Sequence, residues 1–203
     1  DALKEAQEKG YAEADPTADV EGVDAGRKIC ILADLAFGRQ VNPADVPMEG
    51  ISKLSLRDVK IAQRAGYRVK LLGRAVRLSG GRTAYVAPHL IPEERPLASV
   101  DGVFNAIVVR GNATGEVMFY GQGAGELPTA SACVADVMEA LLASPRREEI
   151  GWEADPAGFL DPRELQSRHY YRIDGSLTDA AMAFGKVEVL SEDGETAFLT
   201  DPI

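Results

Sequence analysis

Between Glu13 and Lys28 the chain places five carboxylates, Glu13, Asp15, Asp19, Glu21 and Asp24, ahead of one lysine. Asp24 and Lys28 are four residues apart, so on one helix their charged ends meet on the same face, and Asp24 also gains from the helix N-terminus. One reading of that spacing is an ordinary surface ion pair, worth about 0.3–0.5 kcal/mol. The other is chemical. A lysine held among carboxylates at the edge of a core keeps its proton and its place, and can give that proton to an oxygen that is gaining charge. Carboxylates beside it would hold a substrate ammonium group. Two details favour this second reading: the apolar face of the helix starts at Ile29, directly after Lys28, and the loop before it is too short and acidic to be a plain linker. Together these residues describe a pocket for an amino acid that carries a second, reactive oxygen.

Asp15, Thr17, Asp19 and Glu21 alternate as calcium ligands do, but an EF-hand loop counted from Asp15 needs glycine sixth and glutamate twelfth. Val20 and Gly26 stand there, and that reading fails. Gly121-Gln122-Gly123-Ala124-Gly125 follows a strand-like run and precedes a helical one, the setting of a dinucleotide fingerprint. A GxGxxG pattern would require glycine at 126, where Glu126 stands, so a tight strand-to-helix turn is the simpler reading. His89, in a proline-flanked loop, and His169 read as solvated residues. With two histidines and two distant cysteines, Cys30 and Cys133, no zinc site of the usual spacing is expected. Both thiols sit in apolar helical patterns and read as buried and reduced.

The elements that must position these residues follow from periodicity and punctuation. Residues 1–10 are strong helix formers closed by Gly10, and Tyr11–Val23 reads as a loop. A helix is expected from about Asp24 to Phe37, with Ile29, Leu32, Ala33 and Ala36 as its buried stripe. Ser55 and Asp58 cap a second helix, which turns Leu56, Val59, Ala62 and Ala65 inward and stops at Gly66. Tyr67–Leu78 and Arg82–Val86 form a hairpin about Gly80-Gly81, and Val103–Val109 pairs with Glu116–Tyr120. A third helix is expected from about Pro128 to Ala143, with Cys133, Val134, Val137, Met138 and Leu141 on one side. Ser144–Arg168 reads as a linker, and the last 35 residues offer two short strand-like runs, Tyr170–Ile173 and Lys186–Leu190, too little to bury a core alone.

The composition of the 203 residues bounds the function. A hydrophobic content of 45% supports a real core, and a net charge of −10 repels a phosphate backbone over most of the surface. No apolar run approaches a membrane span, and the N-terminus lacks the layout of a signal peptide. A cytoplasmic protein with no nucleic-acid or membrane partner is expected.

The segment Ala6…Gly10-Tyr11-Ala12…Asp15-Pro16…Asp19-Val20-Glu21-Gly22-Val23-Asp24…Lys28 resembles, position for position, the signature of homoserine dehydrogenases. The likeness continues through Glu49-Gly50-Ile51-Ser52, Gly66–Leu72, Pro96–Ala106 and Gly121–Ala132, and so covers about residues 1–143. The resemblance implies NAD(P)-dependent interconversion of L-homoserine and L-aspartate 4-semialdehyde, on the route to threonine, isoleucine and methionine. It implies that Lys28, with Asp24, is catalytic, Lys28 as proton donor and acceptor. It also implies that Glu13 and Asp24 bind substrate with support from Asp19, and that Gly125 and Gly10 lie against the cofactor. No metal is implied.

That family begins with a Rossmann domain carrying GxGxxG, and neither is present in these residues. The chain is therefore expected to be an N-terminally truncated catalytic and dimerisation domain (1–143), a linker (144–168) and a short, degenerate ACT-like tail (169–203). The fold class expected is α+β, a mostly antiparallel sheet with helices on one face. A homodimer is expected, and alone the chain should bind dinucleotide poorly and turn over little. The alternative from another class is a non-catalytic amino-acid-binding or dimerisation module that has kept the fold.

Overall fold

The computed structural model describes residues 15–123, 125–142, 153–154 and 158–203. The expected helix over residues 1–10, together with Gly10 and Glu13, lies outside them. The described chain opens on Asp15, whose Oδ1 accepts from Thr17 N at 3.0 Å and from Thr17 Oγ1 at 2.5 Å. An aspartate bonded to the backbone two residues on starts a turn, and here it starts one turn of helix, α1 (Thr17–Val20), inside the span expected as loop. Gly22, at φ +78°, redirects the chain into α2 (Val23–Phe37), which ends at Gly38 in the same left-handed region.

The buried line of α2 runs through Gly26, Cys30, Ala33 and Asp34. It is rotated from the expected stripe, and Ala36 is exposed. Two contacts explain the rotation: Met48 fills the space where a side chain at 26 would stand, and the Asp34 carboxylate accepts Val41 N at 2.7 Å. A buried carboxylate is tolerated where it is hydrogen-bonded.

Two long strands receive α2. β2 (Tyr67–Leu78) and β3 (Gly81–Pro92) pair antiparallel, with Leu78 opposite Gly81 and Tyr67 opposite Pro92. A side chain at Gly73 would press on Ile29 and the Ala25 carbonyl oxygen, so the missing side chain lets α2 lie directly on the hairpin. Cys30, Ala33, Val41, Val46 and Ala84 form the core beneath it, with Ile29, Met48 and Phe159 at its margin. β3 runs six residues beyond the expected Val86, so His89 belongs to a strand and is half-buried, not solvated.

The second expected helix is α3 (Leu56–Arg64), opened by the reciprocal Ser55–Asp58 capping box. Its buried residues are Asp58, Ile61 and Ala62. Leu56, expected inward, is exposed because it stands half a helical turn away from that line. β4 (Phe104–Gly111) and β5 (Gly115–Gln122) form the second hairpin, and α4 (Glu126–Leu142) follows. No residue of α4 is buried. Cys133, expected in a core, is therefore exposed, whereas Cys30 is buried as expected.

The span expected as linker carries structure where it is described. β6 (Glu153–Ala154) pairs parallel with β1 (Arg39–Gln40). Leu160 donates to Arg82 O at 2.8 Å and accepts from Thr83 Oγ1 at 2.7 Å, holding this span on β3. The last residues form β7 (Tyr170–Ile173), α5 (Leu177–Phe184), β8 (Val187–Ser191) and β9 (Thr196–Thr200), with the sheet ordered β7-β9-β8. This unit does bury a core: Phe198 is 0% exposed, and its ring lies 5.5 Å from Phe184 and 5.8 Å from Tyr171.

Candidate functional site

Gly22 sets the geometry of the site. Its N–H bonds Asp19 O at 3.3 Å and its carbonyl accepts Gly26 N at 2.8 Å, so α1 hands the chain straight to α2. Only glycine holds φ +78° without strain, and the Val86 side chain closes on the space beside it, where a Cβ would stand 2.8 Å from Val86 Cγ1. The first turns of α2 are thereby fixed on the hairpin with Asp24 and Lys28 on the side away from the core.

Lys28 Nζ lies 2.6 Å from Asp24 Oδ2. The ammonium and the carboxylate are 63% and 43% exposed, so the pair is open to a ligand and is not sealed at the edge of the core. Ile31 and Leu35 continue the same face and are also exposed. Asp19 stands exposed on α1. The Asp15 carboxylate is held below its ordinary pKa by its side-chain and backbone bonds from Thr17, which bind it to the turn. The structure thus brings Asp24 and Lys28 together and places Asp19 on α1, the separate turn before Gly22. Glu13 and Gly10 lie outside the described residues.

Gly125 stands at φ +112°, and its carbonyl accepts both Thr129 N at 3.2 Å and Thr129 Oγ1 at 2.8 Å, tying the turn to the first turn of α4. Gly121 has nothing within 4 Å of the place a Cβ would occupy, whereas Gly123 is covered by the Asn105 side chain. At Gly125 that place meets the Pro128 ring at 3.6 Å, so of these three glycines Gly121 is the open one. The helix after the turn opens on Glu126, a charge that repels phosphate from that N-terminus. Among the described residues this turn supplies no cradle for the phosphates of a dinucleotide. Among the described residues, no three or more His, Cys, Asp or Glu side chains are grouped to hold a metal ion, and no helix is long and apolar enough to cross a membrane.

His89 is part of a second polar cluster. Its ring stacks on Tyr85 at 5.6 Å, with Nε2 3.2 Å from Tyr85 Oη and Nδ1 2.8 Å from Ala87 O. Burial pushes the imidazole below its ordinary pKa, the bond to Ala87 opposes this, and the charge of Arg74 adds to it. Residue types alone gave no sign of the segment Pro47–Ile51, which touches both α1 and α2. The signal present was Gly50, a glycine with no turn to make.

Comparison with known proteins places these features in one family. The homoserine dehydrogenase family profile matches residues 1–138. The homoserine dehydrogenase of Neisseria gonorrhoeae is 56% identical over 139 residues, 68% of this chain and 32% of that one. That of Bacillus subtilis is 40% identical over 199 residues, 96% of this chain and 45% of that one. A homoserine dehydrogenase structure from Thiobacillus denitrificans superposes with a TM-score of 0.82 at 37% identity, over 98% of this chain and 50% of that one. A hyperthermophilic archaeal homoserine dehydrogenase in complex with NADPH gives a TM-score of 0.55 at 30% identity, over 71% of this chain and 40% of that one. The chain spans half or less of the length of these relatives. With a profile match over most of its residues and close relatives along nearly all of them, the chain belongs to the homoserine dehydrogenase family.

Proposed function

We propose that this chain supplies substrate binding and proton transfer for the NAD(P)-linked interconversion of L-homoserine and L-aspartate 4-semialdehyde. The observation that carries the reading is the Lys28–Asp24 pair at 2.6 Å, exposed and set within the family's match. The hydride acceptor and donor at the carbinol carbon is the chemistry that NAD(P) supplies when bound. As the aldehyde is reduced, Lys28 Nζ gives one proton to the carbonyl oxygen, and in the oxidation the neutral amine takes the hydroxyl proton. Asp24 holds the ammonium of Lys28 in place and, with Glu13 and Asp19, receives the substrate's own ammonium. Gly125 and Gly10 are assigned to the cofactor, where the absence of a side chain would let the nicotinamide ring approach the backbone. We assign residues 1–143 to this catalytic role and 169–203 to an ACT-like tail.

A second copy of the chain is the proposed partner. Ile107, Val109, Val117 and Phe119 share one face of the β4–β5 hairpin and are all exposed. On the other face Phe104 and Tyr120 stack at 4.8 Å and are also exposed. Apolar patches of this kind are covered by partners, and in the resembling family this sheet supports the dimer.

The test supplies the chain with a nucleotide-binding half of a homoserine dehydrogenase and follows NADPH consumption with aspartate semialdehyde. Turnover by the pair and little by the chain alone supports the reading. Homoserine binding and dimerisation without turnover favours the non-catalytic module.

A further inference from the structure

The segment Pro47–Ile51 runs between the hairpin and the acidic turn. Val86 N donates to Pro47 O at 2.9 Å and Glu49 N donates to Val86 O at 2.8 Å, so one residue of β3 grips it from both sides. Two positions further on, Ile51 N donates to Val20 O at 2.9 Å. Gly50 lies between these anchors with its α-carbon against α1: a Cβ there would collide with the Val20 carbonyl oxygen and Glu21 Cα, and would stand 2.7 Å from Glu21 Oε2. Gly50 has no positive φ. What requires glycine there is the approach of another backbone, which cannot swing aside as a flexible side chain can. Met48 makes the matching contact one helix further on. A Cβ at Gly26 would stand 2.6 Å from Met48 Sδ and 3.3 Å from its Cγ, so the thioether lies directly beneath the turn of α2 between Asp24 and Lys28. Val86 completes the arrangement with its side chain beside Gly22.

We infer that Pro47–Ile51 is a positioning element for the catalytic face, in which Gly50 sets the depth of the acidic turn and Met48 sets the height of the Lys28 helix. The inference rests on the reading of Lys28 as the proton carrier. Neither residue supplies a group to the reaction. They act through the backbone that carries Asp19, Asp24 and Lys28. A displacement of about 1 Å at a reacting group costs on the order of 100-fold in rate. At Gly50 an added methyl group meets backbone and forces such a shift, whereas at Gly26 it meets the end of the Met48 side chain and moves the helix only as far as Met48, packed against the core, fails to turn aside.

The experiment uses the chain joined to a nucleotide-binding half and compares kcat, KM and Tm. Gly50→Ala lowers kcat/KM for homoserine about 10- to 100-fold, with the KM for the dinucleotide unchanged and Tm lowered by several degrees, as a methyl group forced against backbone requires. Gly26→Ala lowers kcat by less than Gly50→Ala does, and adding Met48→Ala to it restores most of the loss, although the double variant has lost core volume and melts lower than Gly26→Ala. If these residues only held the fold, activity would follow Tm and the double variant would be the worst of the set. That order, or unchanged kcat/KM in Gly50→Ala, overturns the inference. Failure of the functional reading is separable: the joined wild type would not oxidise homoserine. The contact itself is then read by NMR on the 203-residue chain, as Overhauser transfer from the Met48 methyl to the Gly26 α-protons together with shifted Asp19–Lys28 amides in Gly50→Ala. Absence of both overturns the positioning role without reference to activity.

Discussion

Arg172 Nε donates to Asp58 Oδ1 at 2.7 Å across 114 residues of sequence, joining the C-terminal sheet to the first turn of α3. Tyr170 Oη donates to the same oxygen at 2.8 Å, and Arg172 also bonds Glu195 at 2.6 Å. Asp58 is at once the capping acid of α3 and the acceptor that holds the tail. Burial opposes its ionisation, but the bonds from Arg172, Ser55 and Tyr170 outweigh that and hold its carboxyl well below the usual carboxylate range.

A pH dependence follows from that shift. A carboxylate whose folded pKa is depressed stabilises the fold fully above its unfolded pKa of about 4 and loses that contribution as pH falls toward the folded value. Thermal melts of the wild type therefore fall steeply below about pH 4, and Asp58→Asn removes that portion of the slope. At pH 7 Asp58→Ala costs roughly 3 kcal/mol, since it strips a helix cap and leaves a guanidinium with one partner fewer.

The tail stands on its own small core. Phe198→Ala removes a fully buried ring that packs against Tyr171 and Phe184, at a cost of about 3–5 kcal/mol. Hydrogen exchange should show loss of protection in β7, β8 and β9, with the β2–β3 hairpin protected as before. Equal loss in both would mean that the two parts unfold as one.

The exposed β4–β5 face predicts the assembly. Phe119→Asp places a charge among Ile107, Val109 and Val117, and sedimentation should move from dimer to monomer while circular dichroism is unchanged. A wild type that sediments as a monomer at micromolar concentration contradicts the proposed partner.

Much of this architecture was legible where short-range chemistry decides it. The Ser55–Asp58 cap, the hairpin turn and the Asp24–Lys28 spacing are local patterns, and the structure has all three, with the turn at Ser79-Gly80 and Gly81 already in β3. Periodicity misjudged the faces of α2 and α3, because Met48 beneath Gly26 and Arg172 upon Asp58 are contacts between distant segments that rotate or recruit a helix. The tail was undervalued for a different reason. Ser176 and Asp179 form the same capping box as Ser55 and Asp58, a signal present in the sequence, but α5 is short and its ring contacts come from β7 and β9. The apolar run on α4 reads as a core in sequence, yet it stands exposed here with Leu127 and Leu141 near 80%, since amphipathic spacing reports an apolar face and does not say what covers it.

Of the candidate site, Asp24 and Lys28 were legible from spacing and Gly50 only as part of the family-like run Glu49-Gly50-Ile51-Ser52, whereas Met48 was not, because a positioning residue carries no chemistry of its own to recognise. The most direct test of the central claim is kcat for NADPH-linked reduction of aspartate semialdehyde by the chain joined to a nucleotide-binding half, wild type against Lys28→Ala. Loss of a general acid predicts a fall of about 100-fold or more, with dimerisation and Tm retained. A Lys28→Ala variant that keeps the wild-type rate would contradict the assignment of the proton to this lysine.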